Sequence, residues 1–373
     1  MAYCDQRDLA LRHWSPLRYC YSMSHTIILP TNKSGSHRDI PLEKLALGAR
    51  STDQEAHPGK LLRHLHLANF YVAVKSCPLI ILAGPAESGK LTLARLTAHV
   101  LGGGQRTSSM PGHARWAAGS VHGAEFVEAQ TRLNKSALFA LIEEAWQSEQ
   151  QGLPFVACLQ RISPAELDPF FTREGLDHLY RQFLGLRQSS ALQLLPLPPN
   201  LTRIATIDTE RFRWWDTALF DAVTVVPWPA PVPNATHLSH LGQTPLLCSG
   251  SFLRHAVRNV TAAHERLRQL LPRATAPFAR LLQVVGAVEA AGVHVPRTVV
   301  NRVTVFAANA WSERGAGLFA LDPLTNLDCA LQLGIVQYLL PWLALRGHQD
   351  VTRARLLPRL DDSFVPLVRL LVA

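Results

Sequence analysis

PLIILAGPAESGKLTLARLTAHVLGGG, residues 78–104, decides the fold. Its first seven residues are a continuous apolar run ended by Gly84, the pattern of a short strand buried on both faces. Residues 90–104 repeat apolar side chains at helical spacing and stop on glycines. Between them, Gly84-Pro85-Ala86-Glu87-Ser88-Gly89-Lys90-Leu91-Thr92 has the G-x-x-x-x-G-K core of a phosphate-binding loop. Glycines let the backbone wrap around phosphate oxygens with its N–H groups inward. The following helix adds its positive N-terminal end, and Lys90 adds a cation for the β/γ-phosphates. A Gly-rich turn without a ligand is the competing reading, and the strand before and helix after weigh against it.

The loop departs from the full motif at one position. A Ser or Thr hydroxyl should follow the lysine to ligate Mg²⁺, and Leu91 stands there. Thr92, the candidate metal ligand, lies one residue on and is rotated by about 100° around the helix. Glu87 adds a negative charge where phosphates would sit. A nucleotide, ATP or GTP, is the expected ligand, with Mg²⁺ possible but weakened.

Outward from the loop, LLRHLHLANFYVAVKS (61–76) reads as an amphipathic helix. Leu133–Gln147 and Leu176–Leu186 read as helices, and Pro154–Leu159, Asn200–Ile207 and Ala222–Val226 as buried strands. Helices alternating with buried strands predict an α/β parallel sheet covered by helices on both faces, over 61–228. Residues 1–60 read as a mixed, loop-rich extension, with Met23 an alternative start. The Pro-rich 229–245 continues neither sheet nor helix and reads as a linker. Helical patterns over 252–271, 276–291, 297–311, 327–345 and 364–372 predict an all-α domain, 246–373.

The 373 residues suit two or three domains, and 47% apolar against 17% charged residues excludes a disordered chain. A net charge of +9 permits an acidic partner such as DNA without identifying one. Only six of the 37 basic residues are Lys, so Arg bias explains much of the balance. Arg254, Arg258, Arg266, Arg268 and Arg273 cluster near one helix. A solvated arginine face is preferred to a phosphate track, and the lack of interleaved aromatics weighs against stacking on a single strand. Trp214 and Trp215, in RFRWW, suit a packed aromatic pair, a base-stacking loop or a subunit interface. The six cysteines are scattered with no C-x-x-C pair, which argues for reduced thiols in a cytoplasm. His64, His66, His237 and His240 lack companions at metal-ligand spacing. The start MAYCDQRDLALRHW is charged, and the apolar run Gly334–Leu345 is too short for a bilayer, so no membrane is expected.

Five stretches taken in order resemble the McrB-like branch of the AAA+ ATPases, the motor subunit of modification-dependent restriction systems. FYVAVKSCPLIILAGPAESGKLTLARL (70–96) is similar to the family's helix, strand and loop G-x-S-G-T-G-K-[ST]. RWAAGSVHGAEF, with Trp116 and Gly123, is similar to W-x(n)-L-G-Y, and GLPFVACLQRISPAELDPFF to P-F-x-x-x-L-D-E-M-N with its following helix. LPPNLTRIATID (197–208) resembles the sensor-1 strand L-P-P-N-L-x-x-x-G-T-x-N. LDCALQLGIVQYLLPWLALRG (327–347) resembles the lid helix D-x-x-x-x-x-Q-I-x-Q-K-x-L-P-x-L-x-G.

The resemblance implies a P-loop AAA+ core over 61–228, an all-α lid, and a homo- or hetero-oligomeric ring partner, with a separate nuclease subunit and DNA as further partners. It also marks departures. Gln160 and Arg161 take the place of the Walker B Asp and Glu, and Ser163 that of the Asn. Asp208 stands where the sensor-1 Asn reads the γ-phosphate, and Leu219-Phe220-Asp221-Ala222 lacks the arginine of L-D-R-A. Arg297 resembles the sensor-2 arginine, with Arg302 the second candidate. Phosphoryl transfer depends on positioning and electrostatics, so these departures imply nucleotide binding with weak or absent hydrolysis. Two alternatives stay open. One is a working ATPase using Thr92 and either Glu166 or Asp168 as substitutes; the other is a non-catalytic DNA-binding or structural module.

Overall fold

Strand β1 (Leu79–Gly84) is buried at all six positions. In a computed structural model, it lies inside a five-stranded sheet with β2 (Thr107–Pro111), β3 (Phe155–Gln160), β4 (Leu201–Asp208) and β5 (Thr224–Pro227). The structure describes residues 58–102, 106–112, 123–151, 153–162, 197–209, 223–228, 255–272, 278–312, 315–365 and 367–368. The strand order is β2-β3-β4-β1-β5, and every pairing is parallel. Parallel neighbours need crossover connections, and among the described residues those from β1 to β2 and from β2 to β3 carry a helix. Helix α1 (Pro58–Ser76) packs on β1 and β5, α2 (Lys90–Gly102) on β3 and β4, and α3 (Gly123–Gln147) on β2 and β3. The burial of β1, β3 and β5 at every position follows from cover on both faces.

The expected α/β class is therefore what the chain adopts. Several helix starts and one strand differ from the sequence reading: the helices expected from 61, 252 and 327 begin at Pro58, Val260 and Pro323. Helix α3 begins at Gly123, ten residues before the apolar period becomes regular at Leu133. Strand β2, TSSMP, was not expected: it is the sheet edge, with Met110 its one buried residue, so it carries no apolar run. The predicted helix over 176–186 and the segments 1–57 and 229–254 lie outside the described residues.

Beyond the sheet come α4 (Val260–Leu270), α5 (Ala279–Glu289), α6 (Arg297–Ala308) and α7 (Pro323–Gly334). Asn259 caps α4 through Ala262 N, and Asp322 caps α7 through Thr325 N with Pro323 at the first turn. Helix α7 continues through a π turn, Ile335–Leu339, into α8 (Leu340–Leu345). The wider turn accommodates Pro341, whose ring would press on the carbonyl of Gln337 in a straight α-helix. The apolar run at 334–345 is thus part of a longer helix. Pro323–Ala344 is long and apolar enough to cross a membrane, and 89% of its most apolar window is buried within the fold.

The described residues all belong to one compact unit. Polar bonds join the later helices to the sheet side. Asn309, fully buried, donates to Ser76 Oγ (3.1 Å) and Val257 O (2.7 Å), and Thr224 Oγ1 pairs with the Tyr338 hydroxyl (2.8 Å). Gln337 Nε2 donates to Asn69 Oδ1. The solvated arginine face needs correction at two positions. Arg258 donates to Pro199 O, and Arg266 to His255 O and Trp311 O, so both turn into the protein. Arg268 remains exposed and pairs with Glu265. Cys77 and Cys158 are buried thiols outside any disulfide, and Cys329 is a partly buried one.

Candidate functional site

Because all five strands run the same way, Gly84, Pro111, Gln160, Asp208 and Pro227 end at one edge of the sheet. Ligands of open α/β sheets bind outside these carboxyl ends. The 84–92 segment leaves β1 at this edge and enters α2.

Gly84 is held on both sides. Its carbonyl accepts from Thr209 N (3.0 Å), and the preceding Ala83 carbonyl accepts from Trp228 N (2.6 Å). A Cβ on Gly84 would stand 1.9 Å from the Trp228 carbonyl oxygen. Glycine is required here by the close approach of the chain leaving β5. Gly89 differs: its φ of +84° is left-handed, and its Cβ would meet nothing within 4 Å. Conformation demands the glycine, and the space around it is open. Glu87 is also left-handed, at φ +59°, and its side chain is exposed. The two left-handed residues curl the loop over the start of α2, where Leu93 N makes the first bond to Gly89 O. The N–H groups of that first turn have no intrahelical acceptor.

Lys90 is 7% exposed and turned back into the loop. Its ammonium donates to Gly84 O (2.9 Å), Ser88 Oγ (3.0 Å) and Pro85 O. A phosphate oxygen placed there would exchange with one of these acceptors. Ala86 is exposed, Ser88 buried, Leu91 half-buried and Thr92 exposed.

Two strands away, about 10 Å across the sheet, β3 ends on Gln160. Gln160 is buried, and its Oε1 accepts from Arg95 Nη2 of α2 at 2.7 Å. Arg161 follows with φ +53°, its N–H on Thr206 Oγ1 (2.8 Å) and its side chain exposed. Asp208 is level with Gly84 in the β4–β1 register. The structure thus brings the loop, Gln160, Arg161 and Asp208 to one edge. Arg302 is elsewhere: its guanidinium stacks 4.7 Å from the Tyr338 ring and reaches Cys77 Sγ (4.0 Å), beside the start of β1. That is the opposite edge, about 17 Å from the loop along the strand. Arg297 is exposed in the first turn of α6. Ser163, Glu166, Asp168, residues 211–222, Trp116, His237 and His240 lie outside the described residues. Among the described residues, no group of three or more His, Cys, Asp and Glu gathers to hold a metal.

Three contributors were missed in the sequence. Trp228 donates its indole N–H to Ser88 O (2.9 Å), so the residue after β5 clamps the loop. Its sequence signal was only a Trp two residues beyond the strand predicted over 222–226. Arg95 holds Gln160, and nothing in a helical Arg announces that. His66 of α1 sits 5.9 Å from the Trp228 ring, 5% exposed, with neither ring nitrogen hydrogen-bonded. Burial without a partner disfavours its charged form and draws its pKa down to about 4.

This gives a pH prediction. Between pH about 4 and about 6.5 the unfolded chain binds the proton that folded His66 refuses, so stability rises with pH across that window. The rise should be of the order of 2 kcal/mol. Urea denaturation at pH 4.5 and 7 of wild type and His66→Leu checks it; an unchanged difference in the variant would assign the effect to other groups. Comparison with family models, curated proteins and solved structures finds no match to this chain.

Proposed function

We propose that the chain is a nucleotide-binding protein of the AAA+ type, resembling the McrB-like branch. ATP or GTP would seat its phosphates on residues 84–92. The observation that carries this reading is the Lys90 ammonium, folded inside a loop that joins a buried parallel strand to a helix at the carboxyl edge of the sheet. The residues fit an anion. Gly89 leaves open space, the first turn of α2 offers N–H groups, and Lys90 supplies the charge.

Hydrolysis is less well provided for. It needs a group that orients water and carboxylates that hold the metal. At the end of β3 stand an amide tied to Arg95 and an arginine. The reading is therefore of a binder with little or no turnover, working as a subunit or regulator within a ring, in a restriction or defence assembly with a separate nuclease chain. The helices after 255 would serve as its lid. Titration with fluorescent ATP and GTP analogues should show saturable binding, while phosphate release stays near the buffer rate. Absence of saturable binding to either analogue would remove the proposal, and brisk magnesium-dependent release would remove its second half.

A further inference from the structure

Resting on that reading, we propose that this site binds its triphosphate without Mg²⁺, with the guanidinium groups of Arg161 and Arg95 replacing the charge of the metal. A phosphate-loop Mg²⁺ is held by a hydroxyl after the lysine and a carboxylate on a neighbouring strand. Neither is at hand. The first position is Leu91, and Thr92 is exposed on α2 rather than beside Lys90. The strand position is Gln160, whose one acceptor oxygen is taken by Arg95 at 2.7 Å. A neutral amide oxygen already bonded to a cation is a poor ligand for a hard divalent ion, which prefers carboxylates and water.

The same edge carries cations instead. Arg95 and Arg161 together hold the charge of one magnesium ion, and Lys90 stands in the loop between β1 and α2. Guanidinium groups pair with phosphate oxygens through two parallel N–H donors, so they can neutralise and orient at once. Arg161 is set up for this by its backbone. A left-handed φ of +53° is unfavourable for a residue with a side chain, and it is held by the Thr206 hydroxyl on one side. On the other, Ile162 N donates to Thr206 O (3.2 Å). The side chain of Arg161 is left exposed at the carboxyl edge. The carboxylates described there are Glu87, exposed in the loop, and Asp208, level with Gly84. Neither is on β3.

The test is binding of a fluorescent ATP or GTP analogue to the full chain, in Mg²⁺ and again in EDTA. The expected result is a Kd that changes less than fivefold between the two buffers. Arg161→Gly, which accepts the left-handed backbone while removing the charge, should weaken binding in EDTA by about tenfold or more. Arg161→Lys, which keeps the charge and loses the fork, should fall between the two. A loss above fivefold on adding EDTA to wild type, or wild-type affinity of Arg161→Gly in EDTA, overturns the inference and leaves nucleotide binding standing. No binding in either buffer overturns both.

Discussion

Gly84→Ala is expected to destabilise the chain by about 4 kcal/mol or more, read as a loss of folded fraction in urea titration. The added methyl would lie 1.9 Å from the Trp228 carbonyl oxygen. That neighbour is backbone, fixed by the bond from Trp228 N to Ala83 O, and cannot move aside as a side-chain tip does. Relief requires β5 to part from β1 at its end, which also draws the Trp228 indole from Ser88 O. Gly89→Ala is the informative contrast. Its methyl meets no atom within 4 Å, so only the left-handed backbone is strained, at roughly 1–2 kcal/mol. If the two variants lose equal stability, the close approach at Gly84 is not what fixes that glycine.

Lys90→Ala should lower triphosphate affinity by about a hundredfold, since a hydrogen bond to a charged group contributes about 1.5–3 kcal/mol. Stability should fall too, because Pro85 O loses the Lys90 donor and Gly84 O keeps only Thr209 N. Lys90→Arg separates the effects: it keeps charge but not the compact ammonium that fits among three acceptors. Binding by calorimetry and unfolding by urea give the two readouts. Equal, negligible affinity in wild type and Lys90→Ala would end the nucleotide reading.

How far the sequence disclosed this arrangement depended on apolar continuity. Strands β1, β3 and β5 were visible because doubly covered parallel strands are near-continuous hydrophobic runs, while β4, LTRIATID, is interrupted by Thr202, Arg203 and Thr206. Edge strand β2 was invisible for the opposite reason: a half-exposed TSSMP has neither a run nor alternation. The phosphate loop was legible from local spacing alone, because backbone shape and Lys90 lie within nine residues. Trp228 and Arg95 were not, since each acts across a long separation in the chain, 140 residues to Ser88 and 65 to Gln160. Arg258 and Arg266 looked like surface charge because composition does not tell which guanidinium turns inward.

The buried bonds of Asn309 to Ser76, of Tyr338 to Thr224 and of Gln337 to Asn69 have a thermal consequence. Releasing the helices after residue 255 would strand amide and hydroxyl groups in an apolar seam, which raises the free energy of any half-melted species. Differential scanning calorimetry should accordingly record a single endotherm in which sheet and helices are lost together.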